Sequence, residues 1–253
     1  MPLRIGCVRY LNARPLIRGW TGRVDFDHPS VLCHKLARGD LDVALVSSLE
    51  YLRQPIYRII DGISIAARGP VYSVVVAHEG PLEAISVIER DTASQTSLVL
   101  LELLLRKRKI APQIVRAGAH PGDESRAKLL IGDQAIQFRS KQGAKFEYWD
   151  LAEAWHEMTG LPFVFALWLI RPEVSTPLEI ANRLREIRNE NLHNIDALIA
   201  VQTDVSAAFC RKYYREHLCF DFGGKEKAGL HEFHRLCLAN AIPVASELPL
   251  HLV

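Results

Sequence analysis

The stretch Leu41-Asp-Val-Ala-Leu-Val46 decides the fold class. It is a short, almost unbroken apolar run that follows a predicted helix ending at Gly39. Strands buried on both faces have this composition when they lie parallel in a sheet that helices cover. Two earlier candidate strands, Leu3 to Val8 and Val24 to Phe26, give the order strand, helix, strand, helix, strand. This order predicts a doubly wound α/β unit.

The remainder of the chain predicts a second unit inserted into the first. Two long extended runs, 71–78 and 162–170, bracket the middle third of the 253 residues. If each run crosses between units, the first lobe comprises residues 1–77 plus 168–253, and 78–167 form an inserted second lobe. The last third carries helical patterns, so we expect a helical C-terminal tail.

Individual elements follow from local signals. Residues 128–136 predict a strand interrupted by Gly132 and Asp133. Asp150 and Glu153 have the spacing of a capping box, which predicts the start of a helix. Amphipathic patterns predict tail helices near 177–193, 204–218 and 225–240.

Composition and charge exclude several classes of protein. Hydrophobic residues make up 49% of the chain and charged residues 24%, as in ordinary globular proteins. The 31 lysines and arginines nearly balance the 29 acidic residues, so a nucleic-acid partner is not expected. No apolar run reaches the roughly 20 residues that span a bilayer, so no membrane association is expected. Five cysteines without a C-x-x-C pair favour a reducing, cytoplasmic location.

Metal and nucleotide sites find little support. His231, His234 and Cys237 lie on one face of a predicted helix, with Cys219 upstream, but no second ligand pair accompanies them. No glycine-rich phosphate loop is present. The sequence therefore predicts neither a metal nor a cofactor, and it does not reveal the oligomeric state.

Polar residues follow the predicted strands where α/β sheets bind ligands. Tyr10 and Asn12 follow the first strand, and Ser48 follows the apolar strand 41–46. Three hydroxyls, Ser94, Thr96 and Ser97, stand at the start of an apolar helix, where free N–H groups bind anions. Simple capping needs only one hydroxyl, so both interpretations stay open. Together these segments predict a cleft for a small anion.

Six segments in order resemble one family, and they are spread over about two thirds of the chain. Each is a modest motif, but the six occur in register. They are Arg4 to Leu16 with "YLN..PL", Asp42 to Tyr51, Ser64 to Val74, Asp91 to Ser97, Leu130 to Ala135, and Asp150 to Phe165. This pattern is similar to the chorismate dehydratase family of the futalosine route to menaquinone.

The resemblance implies a two-lobed type II periplasmic-binding-protein-like fold. It also implies a cofactor-free lyase that converts chorismate, a small dianion, to 3-[(1-carboxyvinyl)oxy]benzoate and water. Two alternatives stay open: the 1,4-dihydroxy-6-naphthoate synthase of the same pathway, and a non-catalytic protein that binds small anions.

From this resemblance we expect each matched residue to bind the substrate group that suits its own side chain. Ser94, Thr96 and Ser97 would bind one carboxylate, and Ser48 and Ser73 the other carboxylate or the ring hydroxyl. Asn12 would bind the departing hydroxyl, while Tyr10 and Gly69 would contact the substrate. The base that removes the ring proton would be Asp133, Glu50 or the enolpyruvyl carboxylate of the substrate itself.

Overall fold

The computed structural model describes residues 3–90, 95–117, 126–142, 145–202 and 205–253. Ten strands within these ranges form two five-stranded sheets. The strands of the first sheet are β1 (Ile5–Cys7), β2 (Val24–Phe26), β3 (Val43–Ser47), β4 (Arg58–Ala67) and β10 (Phe163–Ile170). Those of the second are β5 (Val74–His78), β6 (Val87–Arg90), β7 (Gln113–Arg116), β8 (Arg126–Ile131) and β9 (Glu147–Asp150).

Helices cover these sheets and form most of the last third of the chain. In the described ranges they are α1 (Pro29–Arg38), α2 (Ser48–Arg53), α3 (Gln95–Arg108), α4 (Gly132–Gln142), α5 (Leu151–Thr159), α6 (Pro177–His193), α7 (Ile195–Ala200), α8 (Ala207–Lys212) and α9 (Gly224–Ala239). Short 3₁₀ helices occupy Leu11–Leu16 and Leu82–Ala84, and a π-helical turn occupies Tyr213–His217. None of the described helices has the length and apolar character needed to cross a membrane.

The first sheet contains the three predicted parallel strands. Its sequence of neighbours is β2-β1-β3-β10-β4, and β1 pairs in parallel with both β2 and β3. The next neighbour, β10, is antiparallel to β3 and β4. Because β10 follows the segment that forms the second sheet, the first sheet combines strands from both sides of that segment in the sequence.

The second sheet contains only strands from the middle of the chain. Its order is β7-β6-β8-β5-β9, and β5 runs antiparallel to β8 and β9. Since β4 ends at Ala67 and β5 begins at Val74, the chain passes between the sheets within 68–73. It returns between α5 and β10, within 160–162. The inserted lobe stays a proposal, and these sheet limits place its ends a few residues earlier than 78 and 167.

The C-terminal tail completes the edge of the first sheet. The backbone N–H of Ile59 donates to the carbonyl of His251 at 2.8 Å, and that of Val253 donates to Ile59 at 3.0 Å. Farther along β4, Ala66 and Cys219 exchange two backbone hydrogen bonds of 2.8 Å. The outer edge of β4 is therefore hydrogen-bonded to the tail at these positions, which limits pairing with other chains.

Helix α9 packs against the point where the chain returns to the first sheet. Trp155, Phe163 and Phe233 form a buried aromatic cluster with ring centroids 4.9 to 6.0 Å apart. A Cβ at Gly229 would lie 2.0 Å from the carbonyl oxygen of Pro162, so only glycine permits this approach. The tail therefore holds the returning segment against the core.

Two predicted elements differ from the structure. The strand predicted for 128–136 ends at Ile131, and α4 begins at Gly132. The reason is the left-handed backbone of Gly132, with φ of +57°, which turns the chain directly from strand to helix. The single helix predicted for 204–218 is instead α8 followed by the π-helical turn Tyr213–His217.

One buried carboxylate holds the segment that connects the two sheets. Asp150 caps α5 as predicted, because its Oδ1 accepts the backbone N–H groups of Ala152 and Glu153. The same Oδ1 accepts the N–H of Val71 at 3.1 Å, and Oδ2 accepts that of Tyr72 at 2.6 Å. Burial raises the pKa of Asp150, although all four N–H donors oppose that shift. Tyr72 is thereby held in a left-handed conformation with φ of +68°.

We expect Asp150→Asn to lower the free energy of unfolding by about 2 kcal/mol, because the new amide nitrogen would oppose the N–H of Tyr72. Urea denaturation followed by circular dichroism measures the change. The matched control is Asp40→Asn, whose exposed carboxylate should contribute less than about 0.5 kcal/mol. Equal effects of the two substitutions would contradict the role assigned to Asp150.

Candidate functional site

A cavity of about 70 Å³ lies between the two sheets. Its walls include the segments that follow β1, β3 and β8, so it lies at the carboxyl ends of these strands. This is the edge at which open α/β sheets bind ligands. The lining residues with side-chain polar groups are Tyr10, Asn12, Ser47, Ser73 and Ser97. The structure therefore places four of the predicted site residues, Tyr10, Asn12, Ser73 and Ser97, around one cavity.

Asn12 and Ser73 are two of the polar residues in the cavity wall. Asn12 lies in the 3₁₀ helix Leu11–Leu16, and its Oδ1 is buried with no hydrogen-bond partner among the described residues. Ser73 is fully buried just before β5, and its hydroxyl oxygen accepts a 2.7 Å hydrogen bond from the hydroxyl of Tyr213. A buried acceptor without a donor is costly, so Asn12 suits a ligand that carries a hydroxyl.

The start of α3, the helix that follows β6 of the second sheet, contributes hydroxyl groups to the region between the sheets. The Thr96 hydroxyl contacts the Ser47 hydroxyl, and its oxygen accepts the backbone N–H of Leu49 at 3.2 Å. Ser97 lines the cavity directly. Thr96 therefore joins α3 to the end of β3, and Ser97 faces the space between them. Ser94 lies outside the described residues, so its predicted role stays a prediction.

The two lobes also meet at Gly132. A Cβ on this glycine would lie 3.1 to 3.3 Å from ring atoms of Tyr10, so the aromatic ring rests on the bare backbone. The next residue, Asp133, accepts the backbone N–H of Leu11 at 2.8 Å. Its carboxylate thus holds the segment that carries Asn12, and Asp133 is absent from the cavity lining. The role of Asp133 as the base stays a prediction.

Besides Thr96 and Asp133, three described residues of the predicted site lie outside the cavity lining: Ser48, Glu50 and Gly69. Ser48 is fully buried and donates to the carbonyl of Val164 at 2.7 Å, so its hydroxyl supports the fold, and Ser47 faces the cavity instead. Glu50 faces Cys33 and Tyr57, and burial raises the pKa of its carboxyl group. Gly69 belongs to the segment between the sheets, and a Cβ at this position would meet no other atom within 4 Å.

Sequence reasoning missed two tyrosines on the tail. Tyr213 donates to Ser73, and Tyr214 donates to the carbonyl of Leu11 at 2.8 Å. Both side chains are buried although the residues are consecutive. Successive residues of a regular helix point about 100° apart, and the π-helical turn is what brings both hydroxyls to the cleft. The sequence contains no pattern that predicts such a turn.

The cavity lining is mostly apolar, with a few uncharged polar side chains. Among the described residues that line it there is no lysine, arginine, histidine, aspartate or glutamate. Hydrogen-bond donors for an anion are therefore hydroxyls and the backbone near the N-terminus of the 14-residue helix α3. No group of three or more potential metal ligands occurs in the described part of the chain. His234, one of the histidines considered above, is hydrogen-bonded to the carbonyl of Ala245.

Comparison with known proteins identifies the family. The family model described as menaquinone biosynthesis matches residues 3–239. The chain belongs to the menaquinone biosynthesis family. Within that family it is 34% identical over 211 residues to a chorismate dehydratase from Thermus thermophilus, covering 76% of this chain and 78% of that protein. It is 28% identical over 241 residues to a chorismate dehydratase from Campylobacter jejuni, covering 94% and 93%.

Solved structures confirm the predicted two-lobed, type II periplasmic-binding-protein-like fold for this member of the menaquinone biosynthesis family. Protein AF1704 from Archaeoglobus fulgidus has a TM-score of 0.75 at 17% identity, with 95% of this chain and 98% of that chain covered. The periplasmic aliphatic sulphonate binding protein SsuA from Escherichia coli has a TM-score of 0.65 at 13% identity, with 98% and 96% covered. At such low identity the likeness concerns the fold alone.

The contact between Tyr10 and Gly132 predicts a specific loss of function. Gly132→Ala adds a methyl group against the Tyr10 ring and should lower kcat/KM about tenfold, because a small displacement at the site is costly. Gly80→Ala is the matched control, since Gly80 also has a positive φ of +71° but no atom within 4 Å of the new methyl group. Steady-state kinetics distinguishes them, and equal losses in both variants would contradict the prediction.

Glu50→Gln should leave kcat within about twofold of the parent protein, because Glu50 lies outside the cavity lining. It should also change the pH dependence of stability. The pKa of the Glu50 carboxyl is raised above 4.5 in the folded protein, so the folded state binds its proton more tightly than the unfolded state. The free energy of unfolding therefore falls as the pH rises from 4.5 to the pKa of the folded state. Glu50→Gln should remove this loss. Urea denaturation across that interval checks it, and a large fall in kcat would instead identify Glu50 as the base.

Proposed function

We propose that this chain is a chorismate dehydratase. It is a hydro-lyase that converts chorismate to 3-[(1-carboxyvinyl)oxy]benzoate and water without a cofactor. The observation that carries the proposal is the unpaired, buried Oδ1 of Asn12 in a cavity whose other polar groups are mainly hydroxyls. The relatives from Thermus thermophilus and Campylobacter jejuni support the same activity.

The polar groups of the substrate match those of the cavity. Chorismate carries two carboxylates, which accept hydrogen bonds, and one ring hydroxyl, which is its only donor. Asn12 Oδ1 therefore suits the ring hydroxyl, and the hydroxyls of Ser73 and Ser97 suit the carboxylates. The N-terminus of α3 adds a favourable dipole for one carboxylate.

The chemical step needs little more than placement and stabilisation of charge. The ring hydrogen next to the hydroxyl leaves as a proton, and the C–O bond to the hydroxyl breaks. The bonding electrons of the C–H bond complete the aromatic ring, and the proton and hydroxide together make water. Negative charge develops toward the ring carboxylate before the C–O bond breaks, so donors at that carboxylate stabilise the transition state more than the ground state.

The lining of the cavity supports proton removal by the substrate itself. Tyr10 is the only ionisable side chain among its described residues, and neither Asp133 nor Glu50 lines it. The enolpyruvyl carboxylate of the substrate lies beside the proton to be lost. We therefore assign proton removal to the substrate, with the protein holding that carboxylate in position.

Incubation with chorismate tests this function. We expect conversion to the aromatic product, measured by ultraviolet absorbance and mass spectrometry. Asn12→Ala should lower kcat about 100-fold, as removal of a charge-stabilising or positioning group does elsewhere. Asn189→Ala, which changes an exposed asparagine on α6, is the control and should have no effect.

Other outcomes contradict the proposal in distinguishable ways. Stoichiometric binding of chorismate without turnover would indicate a binding protein. Neither binding nor turnover would favour the naphthoate synthase. Full activity of Asn12→Ala with normal turnover by the parent protein would leave the reaction intact and overturn the assignment of the site.

A further inference from the structure

We propose that Tyr213 is a positioning residue that orients the Ser73 hydroxyl toward the substrate. This inference rests on the proposed function and adds a residue from the C-terminal tail to the site. Tyr213 is absent from the cavity lining, so it acts through Ser73 and does not touch the substrate.

The direction of one hydrogen bond carries the inference. The Tyr213 hydroxyl donates to the Ser73 hydroxyl oxygen over 2.7 Å. A serine hydroxyl has one proton, and an incoming donor on its oxygen leaves that proton to be donated elsewhere. Ser73 lines the cavity, so the cavity is the space into which this proton can be directed. Donation from Tyr213 also polarises the Ser73 O–H bond and makes it a stronger donor.

The surroundings of Tyr213 keep its hydroxyl in this role. The side chain is fully buried, and its ring stacks on Phe209 with centroids 5.5 Å apart and planes 18° from parallel. Phe209 in turn contacts the ring of Tyr72, next to Ser73 in the chain. Burial raises the pKa of Tyr213, so the phenol stays protonated and remains a donor throughout the neutral range.

The hydroxyl of Tyr213 also lies close to Asn12. A hydrogen bond from the Asn12 side chain would favour the ionised phenol and opposes the rise of the Tyr213 pKa, although burial outweighs it. Tyr213 is therefore adjacent to Asn12 and Ser73, two of the polar residues that line the cavity. The π-helical turn that begins at Tyr213 is the feature that delivers it there. Such turns are frequent at functional sites because they redirect one side chain without ending the helix.

A double-mutant cycle tests whether Tyr213 acts through Ser73. Tyr213→Phe keeps the ring and removes the hydroxyl, and it should lower kcat about tenfold with KM within about twofold. In a Ser73→Ala background the same substitution should change kcat by less than about twofold, because the group being positioned is gone. Tyr51→Phe is the matched control. Tyr51 is also fully buried and donates to a backbone carbonyl, that of Pro249 at 2.7 Å.

Each outcome decides the proposal. Equal falls in kcat in both backgrounds, or a fall for Tyr51→Phe as large as that for Tyr213→Phe, would show a structural effect and overturn it. Retention of full kcat by Tyr213→Phe or by Ser73→Ala would also overturn it. If the parent protein binds chorismate without turnover, the proposed function fails separately. In that case the Kd for chorismate is measured for the same four proteins. Additive changes in binding free energy would overturn the positioning role, and non-additive changes would support it.

A second variant tests the same proposal if Tyr213→Phe does not fold. Incorporation of 3-fluorotyrosine at position 213 keeps the ring and the hydroxyl, and it makes the phenol a stronger donor. It should raise kcat in the parent background and leave kcat unchanged in Ser73→Ala. The same ratio of rates in both backgrounds would overturn the proposal.

Discussion

The carboxylate of Asp150 is the constraint on which the rest of the site depends. It accepts two N–H groups from the start of α5 and two from Val71 and Tyr72, which lie between the sheets. Four donors on one buried carboxylate determine the path of the chain just before Ser73. They also hold Tyr72 in the left-handed region, which costs about 1–3 kcal/mol for a residue other than glycine. The hydrogen bonds to Asp150 offset this cost, and Ser73, the next residue, is thereby placed in the cavity wall.

Hydrogen bonds between the lobes then assemble the cavity. Thr96 of the second lobe reaches Ser47 and Leu49, and Asp133 reaches the backbone of Leu11. Each bond ends on a segment that follows a strand of the first sheet, so each fixes the position of a wall of the cavity. The site is therefore complete only when the lobes are together. Hinge motion between such lobes is a common way to admit and enclose a ligand.

A dianion can be bound here without a lysine or arginine in the described lining. Hydroxyls and a helix N-terminus supply donors whose positions are set before the substrate arrives, which avoids the cost of reorienting them during the reaction. The nearly balanced charge of the chain agrees with this arrangement. A neutral wall also leaves the carboxylates of the substrate basic, as proton removal by the substrate itself requires.

The sequence predicted those features that depend on local patterns. Apolar runs gave the parallel strands of the first sheet, and residues directly after strands, such as Asn12, reached the cavity as expected. The cap by Asp150 was likewise predicted, but its contacts with Val71 and Tyr72 are 79 and 78 residues away in sequence and left no local sign. Ser48 and Glu50 lie outside the cavity lining because α2 begins at Ser48, and rotation along a helix turns these side chains away from the cavity.

The residues that could not be predicted depend on unusual backbone geometry. Gly132 turns a strand directly into a helix through a left-handed φ, and a strand pattern continuing to Ile136 concealed that turn. Tyr213 enters the site from a π-helical turn in the tail, the part of the chain with the least diagnostic sequence. Glycine permits the first feature but does not by itself mark where a strand will end, and the second has no sequence pattern of its own.

A crystal structure of the chain with bound 3-[(1-carboxyvinyl)oxy]benzoate tests the central claim most directly. The account predicts that the product occupies the cavity between the sheets, with one carboxylate within hydrogen-bond distance of Ser97 and the ring edge beside Asn12 and Ser73. Product bound elsewhere would contradict it, for example in the groove of about 570 Å³ lined by Arg9, Arg14 and Arg18. In that case the cavity between the lobes would not be the site of the reaction.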